Sequence, residues 1–100
     1  MKIAIIGTGN LGLSIAKGLV INNTYTTLYL TKKNLDALSS WKEYKNVYIT
    51  QDNKEAVQKS DILIFAVQPN QFESILEEIK PVLNDKHVII STITGYAIER

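Results

Sequence analysis

The chain of 100 residues contains no cysteine and a single histidine, His87. The lack of cysteine excludes a disulfide framework, a thiolate nucleophile and a metal site with cysteine ligands. One histidine is too few for a histidine-rich metal site. No stretch approaches the ~18 consecutive apolar residues of a membrane span, and the apolar run at 3–6 is too short for a signal peptide. We therefore expect a cytoplasmic protein without a membrane partner.

A charge excess of either sign is also missing. Lys and Arg number 11 and Asp and Glu number 10, so the formal net charge is +1. Proteins that bind nucleic acids usually carry a basic excess, so the composition argues against a nucleic-acid partner. An anionic ligand would have to be held by local geometry instead. Hydrophobic residues make up 45% and charged residues 21% of the chain, as is usual for a globular domain.

Short runs that are apolar at every position predict the interior strands. These runs are residues 3–6, 62–67 and 88–90. Such runs are typical of parallel strands, which are buried on both faces. Residues 26–31 are rich in β-branched and aromatic side chains and predict a more exposed strand, and residues 47–49 predict a strand at the sheet edge.

Apolar side chains at helical spacing lie between these runs. The clearest stripe predicts a helix that begins near Pro69 and includes Phe72, Ile75, Leu76, Ile79 and Leu83. Another stripe predicts a helix that packs through Leu11, Ile15 and Leu19. A weaker helix is expected over residues 35–41. Asp52 and Glu55 resemble a capping box that opens a short helix through Val57.

The alternation of strands and helices predicts the fold class. The order β-α-β-α-β-α-β-α-β implies right-handed βαβ units. We expect an α/β fold with a doubly wound parallel sheet, Rossmann-like, in three layers α/β/α. Residues 1–100 show no internal linker or repeat and are expected to form one domain. Another helix could begin at residues 96–100, which suggests a larger protein.

The loop after the first strand carries the strongest functional motif. Residues 7–12, GTGNLG, match G-x-G-x-x-G between a predicted strand and a predicted helix. Gly7 would allow the tight turn, Gly9 would let a pyrophosphate approach the backbone, and Gly12 would let the helix pack on the sheet. Unpaired N–H groups and the helix dipole would face the anion. The glycines could merely turn the chain, but their context favours a dinucleotide site.

The end of the second strand bears on the choice between NAD and NADP. An NAD site usually places Asp or Glu ~20 residues past the loop, where it binds the ribose 2′-hydroxyl. The corresponding region here holds Lys32 and Lys33 and no acid, since Asp36 comes too late in the chain. Ammonium groups attract a 2′-phosphate, so NADPH is expected to be preferred over NADH. The alternative is that both lysines are ordinary solvated loop residues.

The ends of the later strands are further candidates, because ligands of open parallel sheets bind near the point where the strand order reverses. Pro69 holds Gln68 extended, so that Gln68 could face the cleft, although Pro69 could simply start a helix. The hydroxyls that follow the fifth strand could line the nicotinamide side or cap a helix; they belong to Ser91, Thr92 and Thr94.

For the other conspicuous side chains, the sequence favours a structural role over a functional one. Asn53 could cap the short third helix or face the adenosine, and its position alone favours the cap. We expect His87 in a loop at the opposite end from the ligand, and Trp41 in the core. Glu77 and Glu78 are expected to be solvated. No nucleophile–base pair and no metal constellation stands out, so catalytic residues stay unassigned and no metal is expected.

Several segments together resemble one known family. They are similar, in order and over the whole chain, to the amino-terminal part of pyrroline-5-carboxylate reductases; the segments are IGTGNLG (6–12), IAKGL (15–19), DNKEAV (52–57), SDIL (60–63), FAVQP (65–69) and IIS (89–91) with Gly95. The resemblance implies an NADP-binding domain of an oxidoreductase of proline biosynthesis. Such enzymes reduce the imine of 1-pyrroline-5-carboxylate to L-proline with NADPH or NADH.

The resemblance also implies the site residues. The pyrophosphate would be held by Ile6, Gly7, Thr8, Gly9, Asn10 and Leu11. Lys32 and Lys33 would meet the adenosine 2′ position, and Asn53 would contact the adenosine ribose. The nicotinamide side would be lined by Ala66, Val67, Gln68, Pro69, Thr92, Ile93 and Thr94.

The resemblance further implies a dimerisation and substrate domain beyond residue 100. We expect the full protein to bind a small-molecule imine and to form a homo-oligomer through that domain, and the 100 residues alone to be inactive. The family commonly has Lys in place of Gln68, and small residues in place of Ile93 and Thr94. These departures leave two alternatives open: another NADP-dependent dehydrogenase of the β-hydroxyacid dehydrogenase type, or a non-catalytic nucleotide-binding module.

Overall fold

Strands and helices alternate along the chain as expected. The structure is a computed structural model that describes residues 1–91, apart from the side chain of Asn10. The elements are β1 (Lys2–Ile6), α1 (Asn10–Asn22), β2 (Thr27–Thr31), a 3₁₀ helix (Leu35–Glu43), β3 (Val47–Thr50), α2 (Asn53–Gln58), β4 (Ile62–Phe65), α3 (Pro69–Ile79), a 3₁₀ turn (Lys80–Val82) and β5 (Val88–Ser91).

The five strands form one parallel sheet in the order β3-β2-β1-β4-β5. In the centre, Ile5 of β1 pairs with Leu30 of β2 on one side and with Ile64 of β4 on the other. The chain moves from β1 toward β3 and then crosses back to β4, so the strand order reverses between β1 and β4. This topology confirms the doubly wound sheet and places β3 at an edge, as predicted. It also opens a crevice at the carboxyl ends of β1 and β4.

The expectation of an interior strand over residues 88–90 was wrong, because β5 forms the other edge and leaves Val88 and Ile90 exposed. The expectation that residues 26–31 form a more exposed strand was also wrong, because β2 lies between β1 and β3 and buries Leu28 and Leu30.

Alternate residues of the central strand divide the core into two layers. Ile3 and Ile5 face α1 and the 3₁₀ helix, whose Trp41 is buried as expected. Ala4 and Ile6 face α2 and α3 on the other side. Because successive strand side chains point to opposite faces, an uninterrupted apolar run supplies both layers at once. The three-layer arrangement is therefore confirmed.

Helix α1 packs against the core through Ile15 and Leu19, as predicted, but not through Leu11. Leu11 is 52% exposed, whereas Gly12 and Ala16 are buried against the sheet. The two small residues, four positions apart, let the helix axis approach the strands closely. The prediction that Leu11 packs in the core was therefore wrong, and Leu11 is left at the mouth of the crevice.

Two other helices differ from the predicted pattern. The segment Leu35–Glu43 is a 3₁₀ helix. Helix α3 ends at Ile79, earlier than the apolar stripe predicted, and a 3₁₀ turn that contains Pro81 follows. Proline has no N–H to continue the helical bonds, so the stripe extends to Leu83 while the helix does not.

Asp52 caps the N-terminus of α2. Its side chain accepts hydrogen bonds from the N–H groups of Lys54 and Glu55, at 3.0 and 3.3 Å. Glu55 does not close the predicted capping box, because its carboxylate accepts from the Thr50 hydroxyl at 2.8 Å. Asn53 is the first helical residue, so the prediction that it caps α2 was wrong and its side chain is available for other contacts.

His87 lies in the loop before β5 and away from the crevice, as expected, and its side chain is buried. Its Nδ1 accepts from the Asn84 N–H at 3.1 Å, which leaves Nε2 to donate to the Val57 carbonyl at 3.0 Å. Both ring nitrogens thus serve the packing of α2 against β5. Of the helices in the described part of the chain, none has the length and apolarity that a membrane crossing requires.

Candidate functional site

An open cleft of about 1030 Å³ lies at the carboxyl ends of the strands, where their order reverses. One wall is the loop after β1 with the ends of β2 and β3, and the other is the loop after β4 with α3. The lining residues are Gly7, Thr8, Gly9, Leu11, Thr31, Lys32, Lys33, Gln51, Asn53, Ala66, Val67, Gln68, Pro69, Asn70, Gln71, Ser74, Ile75 and Glu78.

Gly7 makes the turn that opens the cleft. Its φ is +78°, a left-handed conformation that side chains with a Cβ rarely adopt. A Cβ added there would lie 2.0 Å from Cγ1 of Val67, which belongs to the opposite wall. Both the backbone angle and the close approach of the two loops therefore require glycine at this position.

Gly9 and Gly12 meet different constraints. A Cβ added at Gly9 would meet no atom of the described residues within 4 Å, so it would project into the open cleft. The fold itself gives no reason for glycine there, whereas the close approach of a ligand to the backbone does. A Cβ at Gly12 would lie 3.2 Å from the Gly7 carbonyl oxygen and 3.3 Å from Ala66 Cβ. Gly12 therefore serves the packing of α1 on the sheet.

The loop is fastened to the end of β2 by hydrogen bonds. The Gly7 N–H donates to the Thr31 hydroxyl, and both the N–H and the hydroxyl of Thr8 donate to the Thr31 carbonyl, each at 3.0 Å. Thr8 and Thr31 are both buried. The Thr8 hydroxyl is thus engaged inside the protein, and the loop is tied to β2 through three hydrogen bonds.

The backbone amides that remain for a ligand lie in the first turn of α1. The Gly9 N–H is already bonded to the Gly7 carbonyl at 3.1 Å, so the loop itself offers fewer unpaired amides than the sequence suggested. Gly9 is the N-cap of α1 and has no side chain to satisfy the N–H groups that follow. The N-terminus of a helix of 13 residues therefore points its dipole and its first-turn amides toward the cleft.

The two lysines after β2 have different surroundings. Nζ of Lys32 donates to the Thr8 carbonyl at 3.1 Å, so this side chain reaches back to the loop. Lys33 is exposed at the rim. Both line the cleft, as predicted, and place two positive charges on the wall formed by β2 and β3.

An acidic group stands across the cleft from these lysines. Glu78 lines the cleft from the last turn of α3, and its Oε1 accepts a hydrogen bond of 3.1 Å from Nδ2 of Asn53. Glu77 and Glu78 are both exposed, as expected. The Glu77 carboxylate lies 3.7 Å from Nζ of Lys80.

The segment after β4 forms the remaining wall. The Ala66 N–H bonds to the Ile6 carbonyl at 3.0 Å, which carries the pairing of β1 and β4 up to the cleft. Gln68 then caps α3 in an extended conformation, and Pro69 occupies the first helical position. Pro69 therefore starts the helix and lines the cleft as well, so the two roles considered for it coincide.

The structure brings most of the predicted site residues together. Two of them behave differently: Ile6 is buried in the core, where only its backbone approaches the loop, and Thr8 turns its hydroxyl inward. The side chain of Asn10 and the residues Thr92, Ile93 and Thr94 lie outside the described part of the chain.

Several cleft residues were missed by the reasoning from sequence. Most of these belong to α3, at the spacing of a single helix face: Asn70, Gln71, Ser74, Ile75 and Glu78. For the residues at 70–75 the signal was available, since a helix that begins at the end of β4 must turn one side of its first turns to the crevice. Gln51 could have been found in the same way, because it follows β3 as Lys32 follows β2.

The arrangement suits an elongated anion with a polar body. It offers a helix N-terminus at its centre, positive charge at one end and a polar helix face along one wall. Within residues 1–91, no group of three His, Asp or Glu side chains is placed to hold a metal ion.

Comparison with known proteins identifies the relatives of this chain. The family described as NADP oxidoreductase, coenzyme F420-dependent, matches residues 2–95. A pyrroline-5-carboxylate reductase of Dictyostelium discoideum is 42% identical over 99 residues, which cover 97% of this chain and 33% of the relative. The resemblance seen in the sequence is therefore confirmed.

Two solved structures extend the similarity to the fold. A pyrroline-5-carboxylate reductase from Coxiella burnetii superposes with a TM-score of 0.85 at 34% identity, covering 94% of this chain and 36% of that one. The Plasmodium falciparum enzyme, with NADP bound, gives 0.79 at 26% identity and covers 98% and 35%. The chain thus spans about a third of the length of these relatives.

The first testable consequence concerns the two loop glycines. Gly7→Ala should destabilise the fold by about 2–3 kcal/mol, because it adds backbone strain and a clash with Val67. Gly9→Ala should change stability by less than about 1 kcal/mol, because its Cβ enters open space. Chemical denaturation of both variants measures the difference, and equal losses would contradict the geometry described for the loop.

Proposed function

The chain belongs to the family of NADP oxidoreductases described as coenzyme F420-dependent, and from this premise we propose that it forms the cofactor-binding domain of a pyrroline-5-carboxylate reductase. The observation that carries the proposal is that the space beside the Gly9 backbone, at the N-terminus of α1, holds no atom of the described residues within 4 Å of an added Cβ. The identity of 42% with a relative of that name supports the particular enzyme.

The cleft residues fit a nicotinamide dinucleotide. Gly9 and the first turn of α1 would hold the pyrophosphate, since nothing in the described structure fills that space. Asn53 would contact the adenosine ribose, near Lys32 and Lys33. Ala66, Val67, Gln68 and Pro69 would line the nicotinamide side, together with Thr92, Ile93 and Thr94.

The bound cofactor would supply a hydride to the imine carbon of 1-pyrroline-5-carboxylate, which together with a proton on the imine nitrogen would give L-proline. In this reaction the role of the chain is to bind and orient the dinucleotide. The rigid loop, fastened through Thr8 and Thr31, would fix the pyrophosphate. The end of β4 would direct one face of the nicotinamide toward the substrate. None of these residues is assigned as the proton donor.

The proposed substrate site, oligomeric state and location concern a protein longer than this chain. Residues 1–100 form its cofactor domain, and a domain beyond residue 100 provides the imine site and the contacts of a homo-oligomer. We place the protein in the cytoplasm, with a small molecule as its substrate. The proposal of a further domain rests on the length of the relative, which is about three times that of the matched segment, and the proposal of the substrate rests on the relative's name.

A chimeric enzyme tests the reaction directly. Replacing the matched segment of the Dictyostelium relative with this chain should give a protein that oxidises NADPH only in the presence of 1-pyrroline-5-carboxylate. Absorbance of the reduced nicotinamide measures the rate, and chromatography identifies proline. The isolated 100 residues should show no turnover.

The matched control for this assay is the unaltered relative, purified in parallel. A chimera that folds and binds NADPH but forms no proline would contradict the proposal and favour the non-catalytic module. Reduction of a different carbonyl or imine substrate would favour another dehydrogenase.

Preference for NADPH gives a second test. Replacing Lys32 and Lys33 together by Ala should weaken NADPH binding by about 1–3 kcal/mol, because two ammonium groups near the 2′-phosphate are lost. NADH binding should fall much less. The control removes two exposed lysines outside the cleft, as Lys59→Ala and Lys80→Ala.

Fluorescence titration at two salt concentrations measures both affinities. The loss should be largest at low salt, because the interaction is between charges near the surface. Equal losses for NADPH and NADH would defeat the assignment of the 2′-phosphate to these lysines.

A further inference from the structure

One side-chain contact joins two helices across an end of the cleft. Nδ2 of Asn53, at the start of α2, donates to Oε1 of Glu78, in the last turn of α3, at 3.1 Å. Both residues line the cleft. The contact therefore lies where a ligand would pass, and it constrains a carboxamide that faces that ligand.

The periodicity of α3 explains why Glu78 reaches Asn53 and its neighbour does not. Gln71, Ser74 and Glu78 follow one another at three- and four-residue steps and share the face that lines the cleft. Glu77 is turned away by about 100°, the rotation per helical residue. It is 76% exposed and lies 3.7 Å from Lys80. Glu77 thus provides a matched acid on the same helix outside the site.

The contact decides which end of the Asn53 carboxamide is free. A carboxamide has a donor end and an acceptor end. Asp52 already caps α2, so Asn53 is not needed by the helix. With Nδ2 held by Glu78, Oδ1 is the end that is left without a hydrogen bond among the described residues.

We propose that Glu78 is a positioning residue: it orients Asn53 so that Oδ1 accepts a hydrogen bond from a ribose hydroxyl of the dinucleotide. This inference rests on the proposed function, since it takes the ligand to be a nicotinamide dinucleotide. A ribose hydroxyl can donate to Oδ1, whereas a phosphate oxygen cannot. NADPH and NADH both carry such a hydroxyl on the adenosine ribose.

The proposal predicts an effect opposite in sign to simple electrostatics. Glu78 brings a negative charge to a site for a polyanion, so its removal should tighten binding if charge were its only effect. If Glu78 orients Asn53, its removal should weaken binding, because the carboxamide is free to rotate and the ribose hydroxyl loses a fixed acceptor. The direction of the change therefore separates the two roles.

The experiment is a titration of the 100-residue chain and its variants with NADPH and with NADH. Glu78→Ala should weaken both nucleotides about three- to tenfold, the effect of one hydrogen bond. Glu78→Gln should bind at least as tightly as the parent, because its amide oxygen still accepts from Asn53 and the charge is gone. Asn53→Ala should match Glu78→Ala, and the double variant should lose no more than either alone.

Glu77→Ala and Glu77→Gln are the controls, and both should bind as the parent does. Tighter or unchanged binding by Glu78→Ala would overturn the proposal, as would equal weakening by Glu78→Ala and Glu78→Gln. Thermal unfolding of each variant without nucleotide checks the fold, and Asn53→Ala tests the same contact if Glu78→Ala fails to fold. If the folded parent binds neither nucleotide, the proposed function itself fails.

Discussion

The close approach of two loops at the reversal of strand order is the constraint on which the site depends. Gly7 ends β1 in a left-handed turn directly against Val67, and Gly12 sets the start of α1 against Ala66. Side chains at either glycine would push the loop after β1 away from the loop after β4. The N-terminus of α1 would then no longer point into the crevice between β1 and β4. The position of the cleft thus depends on the close contacts of Gly7 with Val67 and of Gly12 with Ala66.

The hydrogen bonds around Thr31 connect the loop after β1 to the end of the neighbouring strand β2. Thr31 receives bonds from Gly7 and Thr8, and Lys32 returns one to the Thr8 carbonyl. These bonds join the loop to the end of β2 and hold Lys32 beside it, while Lys33 lies exposed at the rim. At one end of the cleft, Asn53 of α2 is hydrogen-bonded to Glu78 of α3. A nearly neutral protein can hold an anionic cofactor in this way, because its few charges and dipoles converge on one site.

The sequence predicted the elements, the doubly wound sheet and the glycine loop, because each depends on local patterns: apolar runs for strands, periodic stripes for helices and glycine spacing for the turn. It failed where neighbouring elements decide the outcome. The apolar run of β5 did not predict its burial, since β5 lies at the sheet edge. Leu11 is exposed because the first turn of α1 meets the sheet through Gly12, whose neighbours leave no room for a side chain, rather than through Leu11. Glu78 enters the cleft because α3 packs beside α2, which the spacing of charges along one helix does not reveal. Thr8 and Thr31 lie 23 residues apart, so local sequence patterns could not predict the hydrogen bond between them either.

The central claim is that the turn from β1 into α1 holds a diphosphate. Isothermal titration of NADPH into the parent chain and into Gly9→Ala tests it most directly, since this substitution should preserve the fold while placing a methyl group where the diphosphate would lie. We expect the parent to release heat on binding and the variant to bind at least about tenfold more weakly, a loss of 1.4 kcal/mol or more. Equal affinities, or the absence of binding by a folded parent, would contradict the account.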